Sequence, residues 1–224
     1  MSTQASTLTI ADVEQALDVT CDTVIRNEKY FSDLDGLAGD GDFGTSLATG
    51  FKVIKADLPT IDKSAVGAML LKIAMICSKH VGGSSGPIWG TGFMRAGMAS
   101  KGMTEIDYAT LTAMVGSALE GIMARGGAVR GDKTLLDALI PIHETLQAMD
   151  GSDLKAVLAA VTKVADEAID ETRTLVAHRG RASQVGARSA NTPDPGIVGV
   201  ATILYDWCKH YGVDFVPNAP ELKR

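Results

Sequence analysis

The sequence predicts a single all-α domain of about eight antiparallel helices. Three observations lead there. Apolar residues recur at helical spacing along nearly the whole chain, strand-like alternation is absent, and the short breaks between periodic stretches carry helix start and stop signals. The 224 residues, 46% of them hydrophobic, suffice to bury a core without disulfides or a structural metal. We therefore read residues 1–224 as one domain.

The elements follow in order. Thr9 and Asp12 form a capping pair for a first helix, whose stripe is Val13, Ala16, Leu17, Cys21, Val24 and Ile25. A second runs from about Thr45 to Ala56, stopped by Pro59. A third covers Ser64 to about His80. The fourth starts near Pro87, a favourable first-turn residue, and ends near Ser100. The fifth spans about Ile106 to Met123, ahead of Gly126 and Gly127. The sixth spans about Leu135 to Met149, and Pro141 is expected to kink it. The seventh, Asp153 to Leu175, aligns Leu154, Val157, Leu158, Val161, Ala165, Ala168 and Ile169. The eighth opens with Asp194 as N-cap and Pro195 at the first helical position, then presents Ile197, Val198, Ala201, Leu204, Trp207, Cys208 and Tyr211. No linker interrupts the series, so short loops join antiparallel neighbours.

Composition removes several function classes. A net charge of −6 argues against a basic nucleic-acid footprint. Cys21, Cys77 and Cys208 are far apart and form no C-x-x-C pair, which disfavours a disulfide framework or a zinc site and suits a reduced, cytoplasmic setting. The N-terminal residues lack the pattern of a signal peptide. The most apolar run, Val66 to Cys77, contains Lys72 and is too short to span a bilayer. Neither a membrane nor a nucleic acid is an expected partner.

Glycine is in excess, at 24 residues in 224 against a usual frequency of about 7%. It collects in four loops, 36–44, 82–92, 126–131 and 180–196. In the first, Asp35, Asp40 and Asp42 fall within eight residues. They are either a polar loop with a helix cap or a site for a hard cation, since crowded carboxylates without His or Cys suit Mg²⁺. Asp33 is read as a solvated neighbour. Gly39 to Gly44 matches G-x-G-x-x-G, but no strand precedes it, so a dinucleotide fold is rejected. In the second loop, Ser84 and Ser85 precede a helix whose free N–H groups can hold an anion; the alternative is an ordinary tight turn. Gly82 to Gly86 also matches a hydrolase elbow, again without the required strand. The third, Arg125 to Thr134, is a near miss to a P-loop, in which Asp132 and Lys133 either touch a ligand or cap the next helix. The fourth holds Arg179, Arg181 and Arg188, suited to phosphate or simply solvated.

These loops follow the first, third, fifth and seventh helices. In an up-and-down arrangement all four fall at one end, which brings carboxylates, a Ser/Gly helix start and arginines together. That combination can hold Mg²⁺ with a nucleotide polyphosphate.

The same residues resemble the nucleotide-binding L subunit, or L domain, of dihydroxyacetone kinases. The motifs occur in the family's order over nearly the whole chain: Asp35, Asp40 and Asp42 in D-x4-D-G-D-x-G, Gly82-Gly83-Ser84-Ser85-Gly86, Gly131-Asp132-Lys133-Thr134 with Asp137, Gly180-Arg181-Ala182-Ser183, and Asp194-Pro195-Gly196. The resemblance implies a closed barrel of eight antiparallel amphipathic helices with the nucleotide at one end. It implies ADP or ATP as the nucleotide, with two Mg²⁺ ions on Asp35, Asp40 and Asp42. By motif position Gly44, Thr45 and Ser46 would face the phosphates, Ser84 and Ser85 would bind them, and Gly126 and Leu135 would border the adenine or ribose, with Phe43 beside the nucleotide. Arg181 and the Asp194, Pro195, Gly196 turn would close over the nucleotide. Many members carry His where Phe43 stands, so Phe43 is expected to stack or pack instead.

No general base is assigned to this chain, because phosphoryl transfer rests on positioning and charge neutralisation. The resemblance further implies a K-type subunit that holds the ketose, dihydroxyacetone or a longer one. The donor is either ATP or a phosphotransferase-system phosphocarrier acting on bound ADP. The stretch Gly86 to Thr91 is similar to the ADP-retaining group, and Thr192 to Gly196 to the ATP-exchanging one. A homodimer is left open. The competing readings are a regulatory ADP-binding module docking on a transcription regulator, and a metal hydrolase acting on a phosphoester.

Overall fold

Thr9 starts the first helix through a reciprocal cap: its hydroxyl accepts from the Asp12 N–H, and the Asp12 carboxylate accepts from the Thr9 N–H. α1 then runs Ile10–Arg26 in the computed structural model, which describes residues 7–223. At Asn27 the chain bends without leaving the helical path. Asn27 N–H still donates to Thr23 O at 3.1 Å, and Phe31 N–H to Asn27 O at 2.9 Å. α2, Glu28–Asp35, follows at once. The sequence reading followed the first stripe only to Ile25 and assigned no helix to residues 28–35, so α2 is an addition to it. Phe31 and Leu34 form the buried face of α2.

The other helices fall close to expectation. They are α3 Phe43–Asp57, α4 Val66–His80, α5 Ser85–Ala99, α6 Tyr108–Gly126, α7 Leu136–Ala148, α8 Leu154–Arg173 and α9 Pro195–Tyr211. α7 continues through Pro141. Asp107, Asp153 and Asp194 cap α6, α8 and α9 with their side chains. Two small elements were not anticipated. β1, Leu8–Thr9, pairs antiparallel with β2, Glu105–Ile106. Loop four carries a 3-10 segment, Arg181–Ser189, broken at Gly186.

Each helix from α3 onward packs on its successor, α3 packs on both α1 and α2, and α9 returns onto α1 and α2. One core gathers Phe51, Met69 and Ile73 between α1, α3, α4 and α5; a second gathers Phe31, Ile169 and Ile197 between α2, α7, α8 and α9. Phe43 and Trp207 touch both, so the two are continuous. Beyond α9 the chain folds back over α8. Buried Asp166 accepts from Asn218 N–H at 2.7 Å and Ala219 N–H at 3.0 Å, and Glu221 meets Arg173 through both carboxylate oxygens at 2.9 Å. Among the described residues no helix is long and apolar enough to cross a membrane.

Candidate functional site

With α1 and α2 as one bent rod, the glycine-rich loops still precede α3, α5, α7 and α9, and contacts tie them to one end. Arg181 of loop four meets Asp40 of loop one at 3.1 Å. Arg179 lies 3.7 Å from Asp132 of loop three, whose carbonyl accepts from His178 N–H at 3.0 Å. Loop two reaches α3: a Cβ on Gly82 would fall 2.6 Å from the Ser46 hydroxyl. One on Gly196 would lie 3.3 Å from Leu135, and one on Gly126 would lie 3.3 Å from Ile88.

Carboxylate oxygens of Asp35, Asp40 and Asp42 all lie within 4.8 Å of one another, the one such acidic cluster found among the described residues. Asp35 is the last residue of α2 and is buried; Asp40 and Asp42 are exposed. Gly41 turns the chain between them at φ +76°, a left-handed conformation glycine adopts without strain. Asp35 accepts from the N–H groups of Asp42 at 3.0 Å and Phe43 at 3.3 Å. Burial raises its pKa, Asp40 adds repulsion, and the backbone donors partly oppose both. A carboxylate at a helix C-terminus also faces the negative end of the helix dipole. Desolvation, like charge and dipole therefore all favour a cation at this spot. The oxygen-only donor set fits Mg²⁺.

Anion-binding groups stand beside it. Neither α3 nor α5 has a side-chain cap at its start. Asp42, weighed as a cap for α3, makes no capping hydrogen bond. Ser84 is exposed at the N-cap position of α5 and Ser85 is half-buried behind it. At α3, however, Asp35 and Ser32 of α2 accept from the Phe43 and Thr45 N–H groups, so of these two the start of α5 is the one whose partial positive charge has no side-chain partner.

The structure gives several expected residues a definite local task. The Phe43 ring packs inward, 6.2 Å from the Phe31 ring and against Gly199, while its N–H serves Asp35. Gly44 is buried against the backbone of α2. Thr45 donates its N–H to Ser32 Oγ at 3.2 Å, so α2 reaches the site through Ser32, a residue hidden from the sequence reading because α2 was unrecognised. Leu135 is half-buried beside Gly196, and Gly126 is exposed at the end of α6. Asp33 pairs with Lys29 on the exposed face of α2, as a solvated neighbour should. Lys133 is buried, and backbone carbonyls occupy its ammonium.

Asp194 caps α9 by accepting from Ile197 N–H at 2.9 Å. Burial pushes its pKa up to about 7, against the hydrogen bonds from Ile197 and Gly196 and the attraction of Lys133. Between the unfolded value near 3.8 and that folded value, the native state holds a proton the unfolded state lacks. Its contribution to stability therefore falls as pH rises from about 4 to about 7. Asp194→Asn keeps a cap acceptor and removes the charge. Its unfolding free energy should lose part of that slope and exceed the parent's at pH 8 by on the order of 1–3 kcal/mol. Urea midpoints across that range check this, and an unchanged slope refutes it.

Comparison with known proteins adds the family. The DAK2 domain matches residues 37–209. The chain is 34% identical over 187 residues to the PEP-dependent dihydroxyacetone kinase, ADP-binding subunit DhaL, of Escherichia coli (strain K12), covering 82% of this chain and 89% of that one. It is 34% identical over 191 residues to the Triokinase/FMN cyclase of Homo sapiens, covering 84% of this chain and 33% of that one. Among solved structures, the dihydroxyacetone kinase of C. freundii in its native form superposes with a TM-score of 0.72 at 23% identity, over 89% of this chain and 34% of that chain. The same kinase described in complex with AMP-PNP and Mg²⁺ gives 0.70 at 22% identity, over 93% and 35%. At those identities the superpositions speak for the helical fold. The family match over residues 37–209 and the DhaL identity establish that the chain belongs to the DAK2 domain family.

Proposed function

We propose that this chain is the nucleotide-binding subunit of a dihydroxyacetone-type kinase. It holds Mg-ADP or Mg-ATP at the loop end and presents the phosphoryl group to dihydroxyacetone or a related ketose on a separate K-type subunit. The observation that carries this reading is the convergence of three carboxylates, the Ser84/Ser85 start of α5 and Arg181 at one end of the fold. Asp35, Asp40 and Asp42 would hold two Mg²⁺ ions, which supply charge neutralisation as the phosphoryl moves. Gly44, Thr45 and Ser46 of α3 would face the phosphates with Phe43 packing behind them, and Ser84 and Ser85 of α5 would bind phosphate oxygens. Gly126 and Leu135 would border the base and sugar. Arg181 and the Asp194, Pro195, Gly196 turn would cover the nucleotide, Arg181 exchanging its Asp40 partner for phosphate. In the same reading the eight rods form a closed barrel, a single domain, in the cytoplasm.

Two donors are consistent with the relatives. The DhaL subunit is named PEP-dependent and ADP-binding. The L-erythrulose 1-kinase of Mycolicibacterium smegmatis, 30% identical over 180 residues, carries a kinase name without that dependence. The test has two steps. Calorimetric titration with ADP and ATP, with and without Mg²⁺, should give Mg²⁺-dependent binding; its absence sinks the nucleotide reading. Mixing with a K-type subunit, ketose and ATP, or with a phosphocarrier system in place of ATP, should give turnover in one mixture and no phosphate release without the partner. Binding without turnover in either mixture would leave the regulatory module as the better account.

A further inference from the structure

Lys133 is 2% exposed, and its ammonium donates to three backbone carbonyls: Ser189 at 2.7 Å, Leu175 at 2.9 Å and Arg173 at 3.0 Å. An ammonium has three protons, so this cage uses all of them. The carbonyls come from the two roots of loop four: Arg173 ends α8, Leu175 follows it, and Ser189 closes the 3-10 segment. The stem extends from loop three, so one side chain joins three stretches of backbone. The backbone of Lys133 sits at φ +60°, where a side-chain-bearing residue is strained and glycine is not. A lysine in that place, fully desolvated, is explained by what its ammonium holds. Desolvation lowers its pKa, and the Asp194 charge opposes this.

Around the cage the roots are cross-linked by Asn191 N–H to Arg173 O at 2.8 Å and Ala177 N–H to Ser189 Oγ at 2.9 Å. The loop between the roots carries Arg179 and Arg181, which face Asp132 and Asp40.

We infer that Lys133 is a positioning residue, a tethered cation in a carbonyl cage that fixes both roots of loop four so that Arg181 stands over the aspartate cluster. Its consequence for binding rests on the nucleotide reading above; the cage itself does not. Closing a flexible loop costs entropy, and pinning its roots in advance removes part of that cost from ligand binding.

The variant that tests this is Lys133→Gly, which removes the tether and at φ +60° adds no backbone strain of its own. In nucleotide-free protein, amide exchange at Ala177, His178 and Asn191 should accelerate about tenfold or more, with α3 and α4 unchanged. Mg-ADP affinity should fall about tenfold, and millimolar n-propylammonium should restore both by refilling the cage. A general loss of packing would not respond to an alkylammonium ion. Unchanged exchange at those three amides overturns the inference, as does faster exchange that the amine leaves untouched. If the variant does not fold, the wild-type protein decides: a lysine Nζ signal with protons protected at pH 7 supports the cage, and its absence overturns it. Failure of the wild type to bind Mg-ADP would sink the nucleotide reading and leave the exchange result standing.

Discussion

Asp40→Asn is expected to weaken Mg²⁺-dependent nucleotide binding roughly a hundredfold while leaving the metal-free fold as stable as the parent or slightly more so. The two effects have opposite signs because the cluster is poorly compensated without a cation. Asp40 repels the buried Asp35 carboxylate, so removing its charge relieves the folded protein. Its ion pair with Arg181 is 40% exposed on the Asp40 side and 60% on the arginine side, and contributes little to stability. If Asp35, Asp40 and Asp42 hold a divalent ion, as proposed, the balance would reverse. Each hard-cation ligand then acts on a double charge in a partly desolvated site, and losing one should cost about 3 kcal/mol, roughly a hundredfold in affinity. Titration with Mg-ADP beside urea unfolding in EDTA reads both quantities. Retained affinity would refute the metal assignment, whereas a large loss of metal-free stability would mean that Asp40 serves the fold.

That sign reversal bears on what the sequence could and could not reveal. The spacing of Asp35, Asp40 and Asp42 was enough to bring a cation site to mind, because three like charges in a glycine-rich turn are costly unless neutralised. It could not show that Asp35 ends a helix while the other two lie in the loop. That difference buries Asp35, exposes its partners, and gives it the N–H groups of Asp42 and Phe43. Arg181 was legible as a phosphate-type residue, but its meeting with Asp40 spans the chain and no local pattern encodes it. Lys133 is the plainest case. A lysine beside Asp132 at a helix start looks like a surface capping pair, and only the return of loop four turns it into a buried cation.

Helix periodicity was a good guide to the long elements, since α1 and α8 carry buried stripes that differ from their exposed faces. It failed at α2, where eight residues give barely two turns and five of them are charged or serine. The miss did not disturb the parity of the loops, because α2 continues α1 through Asn27 and adds a bend rather than a reversal. The one-ended site therefore depends on the number of chain reversals, which glycine and capping residues mark well, and not on the number of helices.

Gly44→Ala is expected to be the most damaging single methyl group at this end of the molecule. A Cβ on Gly44 would overlap the Glu28 carbonyl oxygen and lie 2.7 Å from Ser32 N and 2.8 Å from Ser32 Oγ. Two of these three atoms are α2 backbone, so no rotamer change relieves the clash and α2 must move off α3. Alanine gains up to about 1 kcal/mol over glycine in helix propensity. Overpacking against fixed backbone costs about 1–3 kcal/mol and sometimes more, so the clash should prevail by about 2 kcal/mol. α2 also carries Asp35 and Ser32, which hold the first turn of α3 from one side. Moving it parts Asp35 from Asp42, so Mg²⁺-dependent binding should weaken together with stability. Asp40→Asn separates those two effects, and Gly44→Ala couples them. A Gly44→Ala protein with an unchanged urea midpoint would mean that the α2–α3 contact is looser than this geometry requires. A protein that loses stability but keeps its full Mg-ADP affinity would mean that Asp35 is held in place by something other than the seat of α2 on α3.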